Sequence, residues 1–154
     1  MARNERILNA SPETVWAVLA NGWLYPLWVV GASRMRAVDD TWPEAGAALH
    51  HSVGSWPLLI NDETTVESVS PGTTLTLTAK ARPSGVARVV LRLEPLDSRT
   101  RVVIEEDAVS GPARFIPKAV RDAGIGWRNT ETLRRLAYLA EGEGTPRGGA
   151  LPER

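Results

Sequence analysis

The chain has 154 residues, 43% hydrophobic and 23% charged, which suits one soluble globular domain with a single core. Its 18 basic and 18 acidic residues cancel, so nucleic acid is not expected as the main partner. There is no cysteine, which excludes disulfides, a Cys nucleophile and thiolate metal sites.

The first residues, MARNERILNA, are charged and carry no apolar core of signal-peptide length. The longest apolar run, Trp23 to Ala32, is too short to span a bilayer and contains Pro26. The expected location is the cytoplasm. Arg3 to Ala10 reads as a first strand. Ser11-Pro12-Glu13-Thr14 is a helix start, with Ser11 at the N-cap, Pro12 in the first helical position and an acidic residue in the first turn. Val15, Trp16, Leu19 and Ala20 give that helix a buried face, and Asn21-Gly22 ends it. Trp23 to Val30 is then a second short helix or a loop. Its three large aromatics are too many to leave in solvent.

From Arg34 onward strands dominate. Arg34 to Asp39 is short. Ala47 to Val53 alternates with Leu49, His51 and Val53 on one face, and Ile60 to Val69 is a polar strand with Val66 inward. Three further strands follow. Their inner residues are Leu75, Leu77 and Ala79, then Ala87, Val89 and Leu91, then Val102, Ile104 and Glu106. A three-residue loop Pro83-Ser84-Gly85 and a two-residue loop Asp97-Ser98 set the register. They place Leu77 opposite Leu91 and Leu91 opposite Ile104. On the outer face Glu94 meets Arg101 and Arg88 meets Asp107, and these opposite charges support the register.

The C-terminal segment from Gly111 to Gly144 reads as a long helix. Leu133, Leu136, Ala137 and Ala140 recur at helical spacing. Further back, Ala119, Ala123 and Gly126 put small residues on the expected inner face. A close backbone approach and a space left for a ligand both explain that. Residues 1–141 are expected to form one domain, with Gly142 to Arg154, rich in Gly and Pro, as a disordered tail.

The order of strand, two short helices, antiparallel meander and C-terminal helix resembles the helix-grip fold of the START-like superfamily (SRPBCC), which includes polyketide cyclases and the birch pollen allergen. The residues carrying the resemblance are Ser11-Pro12-Glu13-Thr14-Val15-Trp16, Trp28, Glu106 to Pro112, and Arg128-Asn129-Thr130-Glu131-Thr132-Leu133. It covers Arg3 to Glu141. It implies an α+β fold, a curved antiparallel sheet wrapped around the long helix, with an apolar cavity between them. No catalytic motif of any branch matches, so no catalytic residue is carried over.

Several residues are candidates for that cavity. His50 and His51 point to opposite faces of one strand, so they do not chelate one metal together. His51 faces inward, as a general base, a ligand anchor or a satisfied core histidine. Glu106 falls on the apolar face, either orienting a ligand or paired with Arg114 or Arg128. Asp62 and Thr64 share the face of Val66 and offer a polar end. Asn129 lies within a turn of Trp127 and Leu133. The expected lining is Trp23, Trp28 and Trp56 with Leu77, Leu91, Ile104, Ala123, Trp127 and Leu133, and no metal or cofactor is expected. Three functions compete. The first is a binding protein for a small hydrophobic molecule, acting as monomer or homodimer. The second is a cyclase or dehydratase using His51 with Glu106 or Asp62. The third is a protein-interaction module presenting the Trp23–Val30 segment.

Overall fold

A computed structural model describes residues 1–54, 57–83 and 85–143, with Ala81 and Glu143 described by backbone alone. Strand β1 (Ala2–Leu8) is followed by helix α1 (Pro12–Ala20), a single 3-10 turn (Gly22–Leu24) and the short helix α2 (Tyr25–Trp28). Strands β2 (Ala32–Val38), β3 (Ala48–Val53), β4 (Ile60–Ser70), β5 (Thr74–Ala81), β6 (Gly85–Leu96) and β7 (Arg99–Ser110) come next. A second 3-10 turn (Pro112–Phe115) leads into helix α3 (Lys118–Glu143). All strands join one antiparallel sheet in the order β1-β7-β6-β5-β4-β3-β2. The sheet curves around α3, so the fold is the expected α+β helix grip.

Local chemistry explains the elements. Ser11 Oγ accepts from the Thr14 amide at 3.2 Å, capping α1. Pro117 separates the 3-10 turn from α3, so the helix starts at Lys118 rather than continuing back to Phe115. At its other end α3 runs through Gly142 to Glu143. The tail beyond that lies outside the described residues.

The β6–β7 register is the expected one, with Leu91 opposite Ile104, Glu94 opposite Arg101 and Arg88 opposite Asp107. Glu94 and Arg101 bond at 3.2 Å. Arg88 reaches Glu67 instead, with two bonds of 2.8 and 3.0 Å, while Asp107 takes Arg121 at 3.4 Å. The β5–β6 register differs from expectation by two residues: Leu75 faces Leu91, and Leu77 faces Val89. The turn lies one residue earlier because Gly85 is already paired in β6. A Cβ on Gly85 would sit 2.0 Å from the Ser110 carbonyl oxygen, so this glycine permits a close strand crossing at φ +125. A two-residue slip keeps every side chain on its face, so the apolar inner surface survives.

The helix face differs more. Asn129, Thr132, Leu133, Leu136, Ala137 and Ala140 are buried, whereas Ala119 and Ala123 are exposed. Towards the start of α3 burial falls away, to half-buried Gly126 and Arg128 and then to exposed Ala123 and Ala119. The two central glycines have different surroundings. Gly126 approaches β1, its carbonyl accepting from Asn4 Nδ2 at 3.1 Å. A Cβ on Gly124 would meet nothing within 4 Å.

Candidate functional site

A cavity of about 340 Å³ lies between the sheet and α3. Its sheet wall is Val53, Leu77, Ala79, Ala87, Val89, Leu91 and Ile104, and its helix wall is Gly124, Trp127, Arg128, Asn129 and Thr132. Tyr25, Trp28 and Val29 close a further side. The volume falls at the small end of the range for small-molecule sites.

The polar groups form two sets. In the first, Tyr25 Oη lies 3.0 Å from Thr64 Oγ1, which lies 2.9 Å from His51 Nε2. The Tyr25 ring stacks on His51 at 5.4 Å and meets Trp28 edge-on at 5.3 Å. Burial above all pushes the Tyr25 phenol up to about 12, so it stays protonated. Burial is also the main reason the His51 imidazole titrates below its ordinary value, which keeps it neutral at pH 7. In the second set, Glu106 on β7 is ion-paired with Arg128 on α3. Its partner is one of the two arginines expected from sequence.

Three polar atoms of lining residues are buried without a hydrogen-bond partner among the described residues: His51 Nδ1, Trp28 Nε1 and Asn129 Nδ2. Buried polar groups are normally satisfied, so three on residues that line one apolar cavity form a distinct chemical feature.

Several expected residues come together here: Trp28, His51, Thr64, Leu77, Leu91, Ile104, Glu106, Trp127 and Asn129 all line the cavity. Trp127 does so from the rim, being 72% exposed. Other expectations need correction. Trp23 is 59% exposed and lies beside Val38, Asp39 and Trp42 in a separate groove, because the 3-10 turn directs it away from Tyr25 and Trp28. Leu133 is a core residue, and Ala123 faces solvent. Asp62 is buried, but Arg82 holds its carboxylate through the backbone N–H at 2.7 Å and Nε at 3.3 Å, and it does not line the cavity. Trp56 lies outside the described residues. Sequence reasoning missed Tyr25. Its signal was the i, i+3 spacing with Trp28, which puts the two on one face of α2.

Among the described residues no group of three or more His, Asp or Glu is placed to hold a metal ion. No helix among them is long and apolar enough to cross a membrane.

A long helix gripped by a curved antiparallel sheet, with an apolar cavity between, defines a helix-grip protein. The chain belongs to the family described as polyketide cyclase / dehydrase and lipid transport, which matches residues 2–141. Membership implies hydrophobic small-molecule binding. No curated protein matches the sequence. Similar solved structures include protein NE0264 from Nitrosomonas europaea, 21% identical over 92% of this chain and 94% of that one, with a TM-score of 0.71. The Zhui aromatase/cyclase from Streptomyces sp. R1128 is 16% identical over 97% and 98%, also with a TM-score of 0.71. Ara h 8.0201 is 11% identical over 91% and 96%, with a TM-score of 0.67. At these identities the likeness is one of fold.

Proposed function

We propose that the protein binds a small, mostly apolar molecule carrying one or two oxygen functions in the cavity between α3 and the sheet. The observation supporting this most directly is that three residues of an otherwise apolar lining, His51, Trp28 and Asn129, each carry a buried polar atom without a partner: Nδ1, Nε1 and Nδ2. A pure hydrocarbon would leave all three unsatisfied, whereas a ketone or phenol would satisfy at least one. Tyr25 and Thr64 then act as supports that fix the His51 ring. The test combines native mass spectrometry of freshly purified protein with a fluorescence titration of naphthol. A co-purified small molecule, or naphthol binding weakened by Asn129→Leu, is the expected result. Absence of both would overturn the reading.

A second reading is acid–base catalysis of the cyclase or dehydratase type, favoured by a neutral, buried His51 inside the cavity. In one tautomer Nδ1 is a lone pair able to take a proton from a bound substrate, and in the other it is an N–H donor. The carboxylates contribute less than expected, since Asp62 is held by Arg82 and Glu106 by Arg128. Tyr25, the protonated neighbour, is the better candidate acid. Turnover lost in His51→Ala but retained in Asp62→Asn would support this version. Equal loss in both would favour the His–carboxylate version.

A further inference from the structure

A second apolar cavity of about 290 Å³ lies under the start of α3, walled by Val86, Ala108, Ala113, Ile116, Val120 and Ile125. It shares four lining residues with the first: Ala87, Glu106, Gly124 and Arg128. The two spaces therefore meet at the Glu106–Arg128 ion pair, which reaches from sheet to helix. The other two residues that line both spaces are small. Ala87 is small, and a Cβ at Gly124 would find open space.

The two ends of the pair are unequal. The Glu106 side chain is 4% exposed and the Arg128 side chain 37% exposed. Arg128 can swing its head into water while its stem stays on the helix. Glu106 cannot follow, and a buried carboxylate without a donor is costly. Opening is thus favourable only when a ligand supplies a donor in place of Arg128. We infer that the two cavities form one binding channel gated by this ion pair, and that it takes an elongated apolar ligand with a hydroxyl part-way along its length. The inner end of such a ligand lies near His51 and Thr64, the hydroxyl donates to Glu106, and the outer end covers Ile116 and Val120, which are 45% and 64% exposed. This rests on the inner cavity being a ligand site, as proposed above.

Three probes test it: naphthol, which is short enough for the inner chamber alone; ricinoleate, a long chain with a mid-chain hydroxyl; and oleate, its analogue without one. Ricinoleate should displace naphthol and bind roughly tenfold more tightly than oleate, because a site built around a donor rejects the analogue that lacks it. Ala113→Trp, in the outer wall only, should weaken ricinoleate roughly tenfold, the equivalent of about two methylenes kept in water, and leave naphthol unchanged. Ile116→Asp, at a half-exposed position where the new carboxylate stays hydrated, should do the same without adding bulk. Glu106→Leu should abolish the preference for ricinoleate over oleate. Equal binding of ricinoleate and oleate, or ricinoleate binding unaffected by both outer variants while naphthol still binds, would overturn the channel alone. Failure of naphthol to bind would overturn the cavity reading beneath it.

Discussion

Filling the inner cavity from the sheet side gives a quantitative test of whether it is empty space or a full core. Ala79 lines it from β5, opposite Thr64 and Ala87 in the neighbouring strands. Ala79→Ile adds three carbons at a strand position that favours β-branched residues. At about 0.8 kcal/mol per buried methylene the gain is about 2.4 kcal/mol, less about 0.5–1 kcal/mol of side-chain entropy. The net is up to about 2 kcal/mol of stabilisation, or a rise of several degrees, at about 2–4 °C per kcal/mol in a chain of this size. Thermal unfolding followed by circular dichroism reads this stabilisation, and because the new side chain occupies the space, fluorescence enhancement from anilinonaphthalene sulfonate should be lost at the same time. If the space is already packed, the same change costs roughly 1–3 kcal/mol through overpacking. A lower melting temperature, with no probe binding in the wild type, would refute the cavity. Ala123→Leu, which the sequence alone suggests, would test nothing, because Ala123 faces solvent.

The other predictions concern charge and exposure. His51 titrates below its ordinary value of 6.5 when folded, so in that range the unfolded state binds more protons and stability falls as pH drops below about 6.5. The slope from this one group is at most about 1.4 kcal/mol per pH unit, and His51→Gln should remove it from a plot of urea-unfolding free energy against pH. A variant with the wild-type slope would show that the ring is not held neutral. Arg128→Met should cost about 1–3 kcal/mol, less than for a fully buried pair because Arg128 is partly hydrated, and adding Glu106→Leu should recover most of it. Additive losses in chemical denaturation would mean the ion pair is not coupled. Trp23→Ala should change stability by no more than about 0.5 kcal/mol and leave probe affinity intact, whereas Trp28→Ala should cost about 3–5 kcal/mol. A large effect at Trp23 would place it against the cavity after all.

The fold was legible because its signals are local and repeated. The Ser11-Pro12 helix start, the alternation in β5, β6 and β7, and the Asp97-Ser98 turn each determine a few residues, and together they leave few topologies open. The β5–β6 slip arose where local chemistry was ambiguous. Gly85 carries the positive φ expected of a turn glycine, yet its role is set by Ser110, a residue 25 positions away that comes within 2.0 Å of the missing Cβ. No turn rule sees that contact. The error was harmless to the site because side-chain direction in a strand repeats every two residues, and the slip was two.

The helix side of the site was harder, for a physical reason. A strand has two faces, so a candidate inner residue is right or wrong as a set. A helix has a continuous range of directions, and its spacing alone does not say which of its turns lie against the sheet. The apolar spacing put Ala119 and Ala123 inward, but both are exposed in the first turns of α3, and Gly124 lines the space instead. The same limit hid Tyr25. In a stretch with Trp23, Tyr25 and Trp28, composition says only that aromatics pack somewhere. The four-residue helix α2 decides which do: Tyr25 and Trp28 turn inward, and Trp23 and Leu27 remain more than half exposed. Once inward, a phenol needs a partner, and Thr64 supplies it. That bond also explains why an inward threonine lies among Leu49, Val66 and Leu77. It ties α2 to β4 and β3 through one hydroxyl and leaves His51 Nδ1 as the ring nitrogen without a hydrogen-bond partner among the described residues.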